Sequence, residues 1–380
     1  MHKKRIALVT ATPMTIKAFM QGHIRAWAEK CDVTVFVNAS SPRVFDDEAL
    51  PIEVKPVRIE RSISPWFDLA ALVILIRQLR LGGYDAVVSV TPKAGLLAML
   101  AAWAVSTPLR IHIFTGQVWA TRKGVSRMLL RFLDRLTAML ATDVLADSES
   151  QRQFMIAEGV VSAARSKVLA RGSICGVDTQ RFRPDETARK AIRAAHGIAE
   201  NAVLLLFLGR LHPDKGVLDL GAAFVDLADK HEHVHLLFVG PEEAGTRTLL
   251  ERCCDTVATR VHFVDYTNTP ERYIAAADIF CLPSYREGFG TVVIEAAAMG
   301  IPAVASRIYG LTDAVVDGET GLLHAPHDVN DLQFALARLV QEPLLRKRLG
   351  MAARNRAIQH FDSIDVAQDF AEYIFQRLLR

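Results

Sequence analysis

EGFGTVVIEAAAMG, Glu287–Gly300, carries two carboxylates, Glu287 and Glu295, separated by seven residues that include two glycines and Thr291. Gly288 and Gly290 let a backbone approach closely, Thr291 is an acceptable N-cap, and VVIEAAAM is a helix-forming run ended by Gly300 and Pro302. The start of such a helix offers unpaired N–H groups and the positive end of a dipole to a space of phosphate size. Glu287 precedes the helix and Glu295 lies about one turn inside it, so both reach a ligand bound at the helix start, one to each end. Carboxylates repel a diphosphate. They suit the hydroxyls of sugar and ribose that flank it, from which they accept hydrogen bonds.

Outward from this segment, strand-like runs alternate with helical ones along the whole chain. RIALVT, DVTVFVN, DAVVSV, LRIHIFT and DVLADS come first, then VLLLFLG, HLLFVG, VHFVDY, DIFCLPS and PAVAS. The pattern predicts an α/β protein of two Rossmann-like domains, each a parallel sheet covered by helices. The polar, Pro-containing stretch after Gly176 sets the boundary, giving residues 1–180 and 181–360, and DSIDVAQDFAEYIFQRLLR supplies a terminal helix over 361–380 capped by Asp362 or Ser363. Ligands of such sheets bind at the carboxyl ends of strands, which predicts a cleft between the domains. No glycine follows the first strand in VTATPMTIKAFM, so the dinucleotide fingerprint is absent and an NAD-linked enzyme is disfavoured. Thr12, Pro13 and Met14 remain candidates to border a diphosphate.

A chain of 380 residues, 51% of them hydrophobic, is long enough for two cores. The net charge of +3 conceals an asymmetry, because the first 185 residues are basic and the remainder acidic. A basic first half fits an anionic partner, a phosphorylated lipid or a membrane surface, and equally a solvated charged face; no nucleic-acid partner is expected. Cys31, Cys175, Cys253, Cys254 and Cys281 lack metal-ligand spacing and read as reduced core thiols of a cytosolic protein. The start of the chain has no cleavage-site pattern, and the apolar runs Leu69–Ile76 and Ala94–Val105 fall short of the roughly 20 residues that a membrane span needs.

The Glu287–Gly300 segment resembles the donor-site signature of family-four retaining glycosyltransferases, enzymes of the GT-B fold that use nucleotide sugars. The GVDTQRFRP stretch (Gly176–Pro184), FLGRLHPDKG (Phe207–Gly216), PERYIAAADIFCLPS (Pro270–Ser284) and LPSYREGFG (Leu282–Gly290) look like further blocks of that family. Arg210 and Lys215 lie just beyond an apolar strand, where one offers a bidentate fork and the other a point charge to the same phosphates. The resemblance implies that they replace a divalent metal, so no metal or other cofactor is expected. It also assigns Glu287 to the donor sugar and Glu295 to the ribose, with Gly209, Gly288 and the N–H groups of Phe289, Gly290 and Thr291 around the diphosphate. Tyr266, Thr267, Gly240 and Pro241 are candidates for the base pocket.

In the first half, VTPKAG and IFTGQVWATRKG follow strand-like runs. Lys93 is placed to pair with a phosphate of donor or acceptor and Gln117 to orient a hydroxyl. Many relatives carry a histidine where Thr115 stands, and this TG variant resembles the subgroup making bacterial capsule, exopolysaccharide and O-antigen. His112, in strand alternation with Ile111 and Ile113, reads as structural. Between Trp119 and Leu140, Arg122, Lys123, Arg127, Arg131 and Arg135 recur at helical spacing against Met128, Leu129, Phe132, Leu133 and Leu136. That pattern fits an anionic membrane surface, or a core-packed helix with an exposed cationic stripe.

The expected activity is retaining transfer of a sugar from a nucleotide donor, a UDP-sugar, to a saccharide on a polyprenyl diphosphate, at the inner face of the cell membrane. The alternatives are a nucleotide-sugar epimerase of the same fold and a non-catalytic partner subunit.

Overall fold

The computed structural model describes residues 3–60 and 64–379. The chain forms two compact units, one of residues up to Gly176 with those from Ser363 onward, the other Val177–Asp362.

The first unit runs β1 (Lys4–Thr10), α1 (Pro13–Thr15), a short π-helical turn, α2 (Gln21–Ala28), β2 (Cys31–Val37), β3 (Ile52–Pro56), α3 (Pro65–Gly82), β4 (Ala86–Val90), α4 (Pro92–Ala104), β5 (Leu109–Phe114), α5 (Gly124–Leu140), β6 (Asp143–Ala146), α6 (Glu149–Ala157) and β7 (Ser166–Val168). Its sheet has the order β3-β2-β1-β4-β5-β6-β7, with every neighbouring pair parallel. Successive residues of β1 point to opposite faces. Ala7 and Val9 join a core with Leu75 of α3, Ala98 of α4 and Ala138 of α5, whereas Ile6 and Leu8 join one with Ile24 and Trp27 of α2. The helices α3, α4 and α5 therefore cover one face of the sheet.

The second unit runs α7 (Glu186–Ala195), β8 (Val203–Leu208), α8 (Val217–Lys230), β9 (Val234–Val239), α9 (Thr246–Cys253), β10 (Val261–Val264), α10 (Pro270–Ala276), β11 (Ile279–Leu282), α11 (Thr291–Ala298), β12 (Ala303–Ser306), α12 (Leu311–Ala314), β13 (Gly321–His324), α13 (Val329–Gln341) and α14 (Pro343–His360). Its parallel sheet has the order β10-β9-β8-β11-β12-β13. Central strands such as VLLLFL are apolar throughout because helices cover both of their faces.

The last helix, α15 (Ser363–Leu378), belongs to the first unit. Phe370 sets its edge against Trp27 and His23, at ring separations of 5.2 and 5.1 Å, and Tyr373 and Arg377 both donate to Asp143 of β6, at 2.5 and 2.8 Å. Three strands were not expected from the sequence. β3 is an edge strand that ends in a proline, β7 has three residues and β13 four, each too short or too interrupted to show a period. The five cysteines are free, and burial pushes the Cys31 thiol up to about 11.

Candidate active site

In the second sheet the strand order reverses between β8 and β11, the point where open α/β sheets bind ligands. The loops leaving those two strands, 209–216 and 283–290, hold most of the residues singled out for the donor. Their side chains meet. Lys215 Nζ donates to Glu287 Oε1 at 2.5 Å and Ser284 Oγ donates to the same oxygen at 2.8 Å, with both side chains of the ion pair largely covered.

The two loops are also fastened to each other behind that pair. The Tyr285 N–H donates to the Asp214 carbonyl at 2.9 Å, the Tyr285 hydroxyl donates to Asp219 on α8 at 2.7 Å, and the Tyr285 ring stacks on His327 at 3.7 Å. Gly216, with φ +66°, sits so close to the second loop that a Cβ would lie 1.9 Å from the Pro283 carbonyl oxygen. Ser284, Tyr285, Asp214 and Asp219 were not foreseen as part of the site. They are polar residues in loop and helix positions whose partners come from a distant stretch of chain, and no local pattern marks them.

The helix α11 starts where expected, but Gly290, at φ +82°, is its N-cap in place of Thr291, and no side chain caps it. Phe289 is buried and packs against Phe361 at 5.2 Å, which anchors the loop so that its backbone carries the site. Glu295 is half-buried on this helix, and burial pushes its carboxyl up to about 7, with Arg181 pulling down and Glu271 pushing up. A carboxylate so short of hydrogen bonds is ready to accept them from a ligand.

The folded unit binds a proton on Glu295 that the unfolded chain, with the ordinary value of 4.5, has released. The second unit is therefore expected to lose stability as pH rises from about 4.5 to about 7, and Glu295→Gln to flatten that part of the profile. Thermal denaturation without ligand across this range checks it; an unchanged slope in the variant would refute the assignment.

Other residues are held apart from the Lys215–Glu287 pair. Arg210 bonds to Glu243 in the loop after β9, so the two cations expected to share phosphates rest on separate carboxylates. Tyr266 is exposed in the loop after β10, and the Thr267 hydroxyl accepts from the Thr269 N–H at 3.1 Å within that loop. Arg181 secures the loop from outside, donating to Glu271 at 2.9 Å and to the Asn268 carbonyl at 2.8 Å.

In the first unit Lys93 pairs with Asp68 of α3 at 2.5 Å, and Thr115 lies in the loop that leaves β5. Gln117 corrects the expectation. Its side chain is fully buried, donating to the Met155 sulfur at 3.3 Å and accepting from Gln151 at 3.4 Å, so it braces the loop from inside and presents nothing to a hydroxyl. His112 is structural as read, buried against Ser89 at 2.8 Å and pushed by burial down to about 3. No group of three or more His, Cys, Asp or Glu among the described residues is placed to hold a metal.

The helix α5 turns its apolar face outward. Val125, Met128 and Phe132 are 80, 71 and 61% exposed, while Leu130, Ala138 and Leu140 pack on the core, so the helix is core-packed on one side and leaves large apolar side chains in the open on the other. Arg127 and Arg131 pair with Glu158 at 2.6 and 3.1 Å, and Arg122, Lys123 and Arg135 are exposed with no acidic partner among the described residues. The one acid of α5, Asp134, faces inward, accepts from the Trp119 indole N–H at 2.7 Å and is pushed by burial up to about 7.

Comparison with known proteins decides the family. Residues 188–356 match the family described as glycosyl transferases group 1, and residues 16–172 match a glycosyl transferase 4-like domain. The D-inositol 3-phosphate glycosyltransferase of Kribbella flavida is 31% identical over 293 residues, 73% of this chain and 68% of the relative. The chain belongs to the group 1 glycosyltransferases. This glycosyltransferase is also 28% identical to the capsular polysaccharide biosynthesis glycosyltransferase CapM of Staphylococcus aureus, over 81% of its own length and 80% of CapM. Its fold is GT-B, like that of Anabaena HepE solved with UDP-glucose, which it matches with a TM-score of 0.81 and 20% identity over 99% of this chain and 100% of that one. For this glycosyltransferase the switch-point loops of the second sheet are the candidate donor site, with Lys215 and Glu287 at its centre.

Proposed function

We propose that this enzyme moves a sugar from a UDP-sugar to a lipid-linked saccharide, with retention of configuration, in the synthesis of a bacterial surface polysaccharide such as capsule or O-antigen. The observation that carries the reading is the Lys215–Glu287 contact beside the start of α11, a cation and a sugar-binding carboxylate brought together at the switch point. The likeness to CapM supports the capsule reading, and the UDP-glucose bound by HepE supports the donor class.

In the reaction Lys215, Arg210 and the N–H groups at the α11 start neutralise charge that grows on the diphosphate as its bond to the anomeric carbon breaks. The acceptor hydroxyl bonds to that carbon from the same face, and its proton passes to the departing diphosphate oxygen. No group of the enzyme needs to act as base, which accords with Thr115 at the place of a histidine. Glu287 accepts from the sugar hydroxyls and Glu295 from those of the ribose. The cationic side chains serve in place of a divalent metal, so transfer persists in EDTA.

The acceptor places the enzyme at the cytoplasmic face of the membrane, with the exposed apolar and basic face of α5 against anionic headgroups. No helix among the described residues is long and apolar enough to cross a bilayer. The decisive test is the anomeric configuration of the product by NMR, where inversion would defeat the reading. A panel of UDP- and GDP-sugars screened for thermal stabilisation identifies the donor, since a ligand at about 100 times its Kd adds roughly 2.7 kcal/mol to stability.

A further inference from the structure

Between Ser64 and Leu140 the chain has nine Lys and Arg residues and three acids, Asp68, Asp85 and Asp134. All three acids are engaged, by Lys93, by Lys4 and by Trp119. The segment contains α3, α4 and α5, the helices that cover one face of the first sheet, with α4 packed against both of the others. The outer side of α3 is apolar at one end and basic at the other. Trp66, Leu69, Val73 and Ile74 are 83, 54, 58 and 43% exposed at helical spacing, while Ala71, Leu75 and Leu79 fill the core side. Arg77 and Arg80 follow on the exposed side with no acidic partner among the described residues. A further large ring, Trp103 near the end of α4, is 59% exposed.

We propose that α3 is a second membrane-contact element, which inserts Trp66, Leu69, Val73 and Ile74 into the interface of an anionic bilayer while Arg77 and Arg80 lie against its headgroups. The inference rests on the reading that α5 faces the membrane and adds to it an anchor on the far side of α4. Charge complementarity selects the occupant. A face whose unpaired charges are all positive and whose large side chains are apolar matches anionic headgroups above acyl chains, whereas a second copy of the same face would bring like charges together. Two separated contact helices also fix the orientation of the unit on a surface, which one helix leaves free to roll about its axis.

The test is sedimentation of the full chain with phosphatidylcholine vesicles, with and without phosphatidylglycerol. Leu69→Ser with Val73→Ser should weaken partitioning to anionic vesicles about tenfold. Arg122→Gln with Lys123→Gln and Arg135→Gln should weaken it and also remove much of its salt dependence. Acyl chains carrying bromine should quench Trp66 fluorescence, with the quenching lost in Trp66→Phe. If the α3 variant binds as the parent does while the α5 variant does not, α3 is not an anchor and the membrane reading of α5 stands. If the parent ignores anionic vesicles, both fall. A concentration-dependent dimer that the α3 variant abolishes would assign the face to self-association and overturn the proposal.

Discussion

Lys215→Ala should lower kcat/KM by about a thousandfold, with the loss mostly in kcat, because the charge it removes matters most when the diphosphate departs. Lys215 sits where the neighbouring ends of β8 and β11 bring two loops together, partly covered, and its ammonium is aimed by a bond to Glu287. A cation fixed before the reaction does not have to be reorganised during it. Arg210 is different: it is more exposed and paired with Glu243, so Arg210→Ala should cost less, about tenfold. Glu287→Gln should be severe as well. The double variant Lys215→Ala, Glu287→Gln should lose far less than the product of the single losses, because each residue aims the other. Steady-state kinetics with varied donor measure all of this. A Lys215→Ala enzyme within tenfold of the parent would remove the central group of the proposed mechanism.

Gly216→Ala should be among the most destabilising single substitutions in the second unit. Two penalties coincide at this position. The residue sits at φ +66°, which costs a non-glycine residue roughly 1 kcal/mol, and a Cβ would lie 1.9 Å from the Pro283 carbonyl oxygen, closer than any contact a packed backbone relieves without moving. The loops would have to separate, and the Tyr285 bonds to Asp214 and Asp219 would break with them. A total of about 3–5 kcal/mol is expected, a fall in Tm on the order of 10 °C. Gly245→Ala is the control. That glycine has φ +69° but open space around the Cβ, so it carries the conformational penalty alone. Equal effects at the two positions would show that the close approach of the loops does not matter.

The two-sheet architecture was legible because β8 and β11 are continuous apolar runs between helical stretches, and β9 is one broken only by His235, as strands covered on both faces must be. The donor loops were legible for a related reason. Residues that meet at the end of adjacent strands lie just after apolar runs, so Lys215 and Glu287 could be located before their contact was known. The pairing itself was not legible. Lys215 is held by Glu287 and Arg210 by Glu243, a residue of a third loop, so the two cations part company through contacts that no local pattern shows. Gln117 failed for the same reason, since a glutamine in a polar loop looks available until Met155 and Gln151 of another helix enclose it. The outward turn of the apolar side of α5 was equally hidden. Periodicity shows that a helix has two faces, and only its neighbours determine which one is covered.

The helix α15 has a consequence for biosynthesis. Its Phe370, Tyr373 and Arg377 close over Trp27, His23 and Asp143, so the first unit waits for a helix that is translated only after the whole second unit. Translation thus releases a second unit that is complete in sequence while the first still exposes an aromatic seam. In the cell, the nascent polypeptide has a window between those two events in which that seam is the natural target for a chaperone.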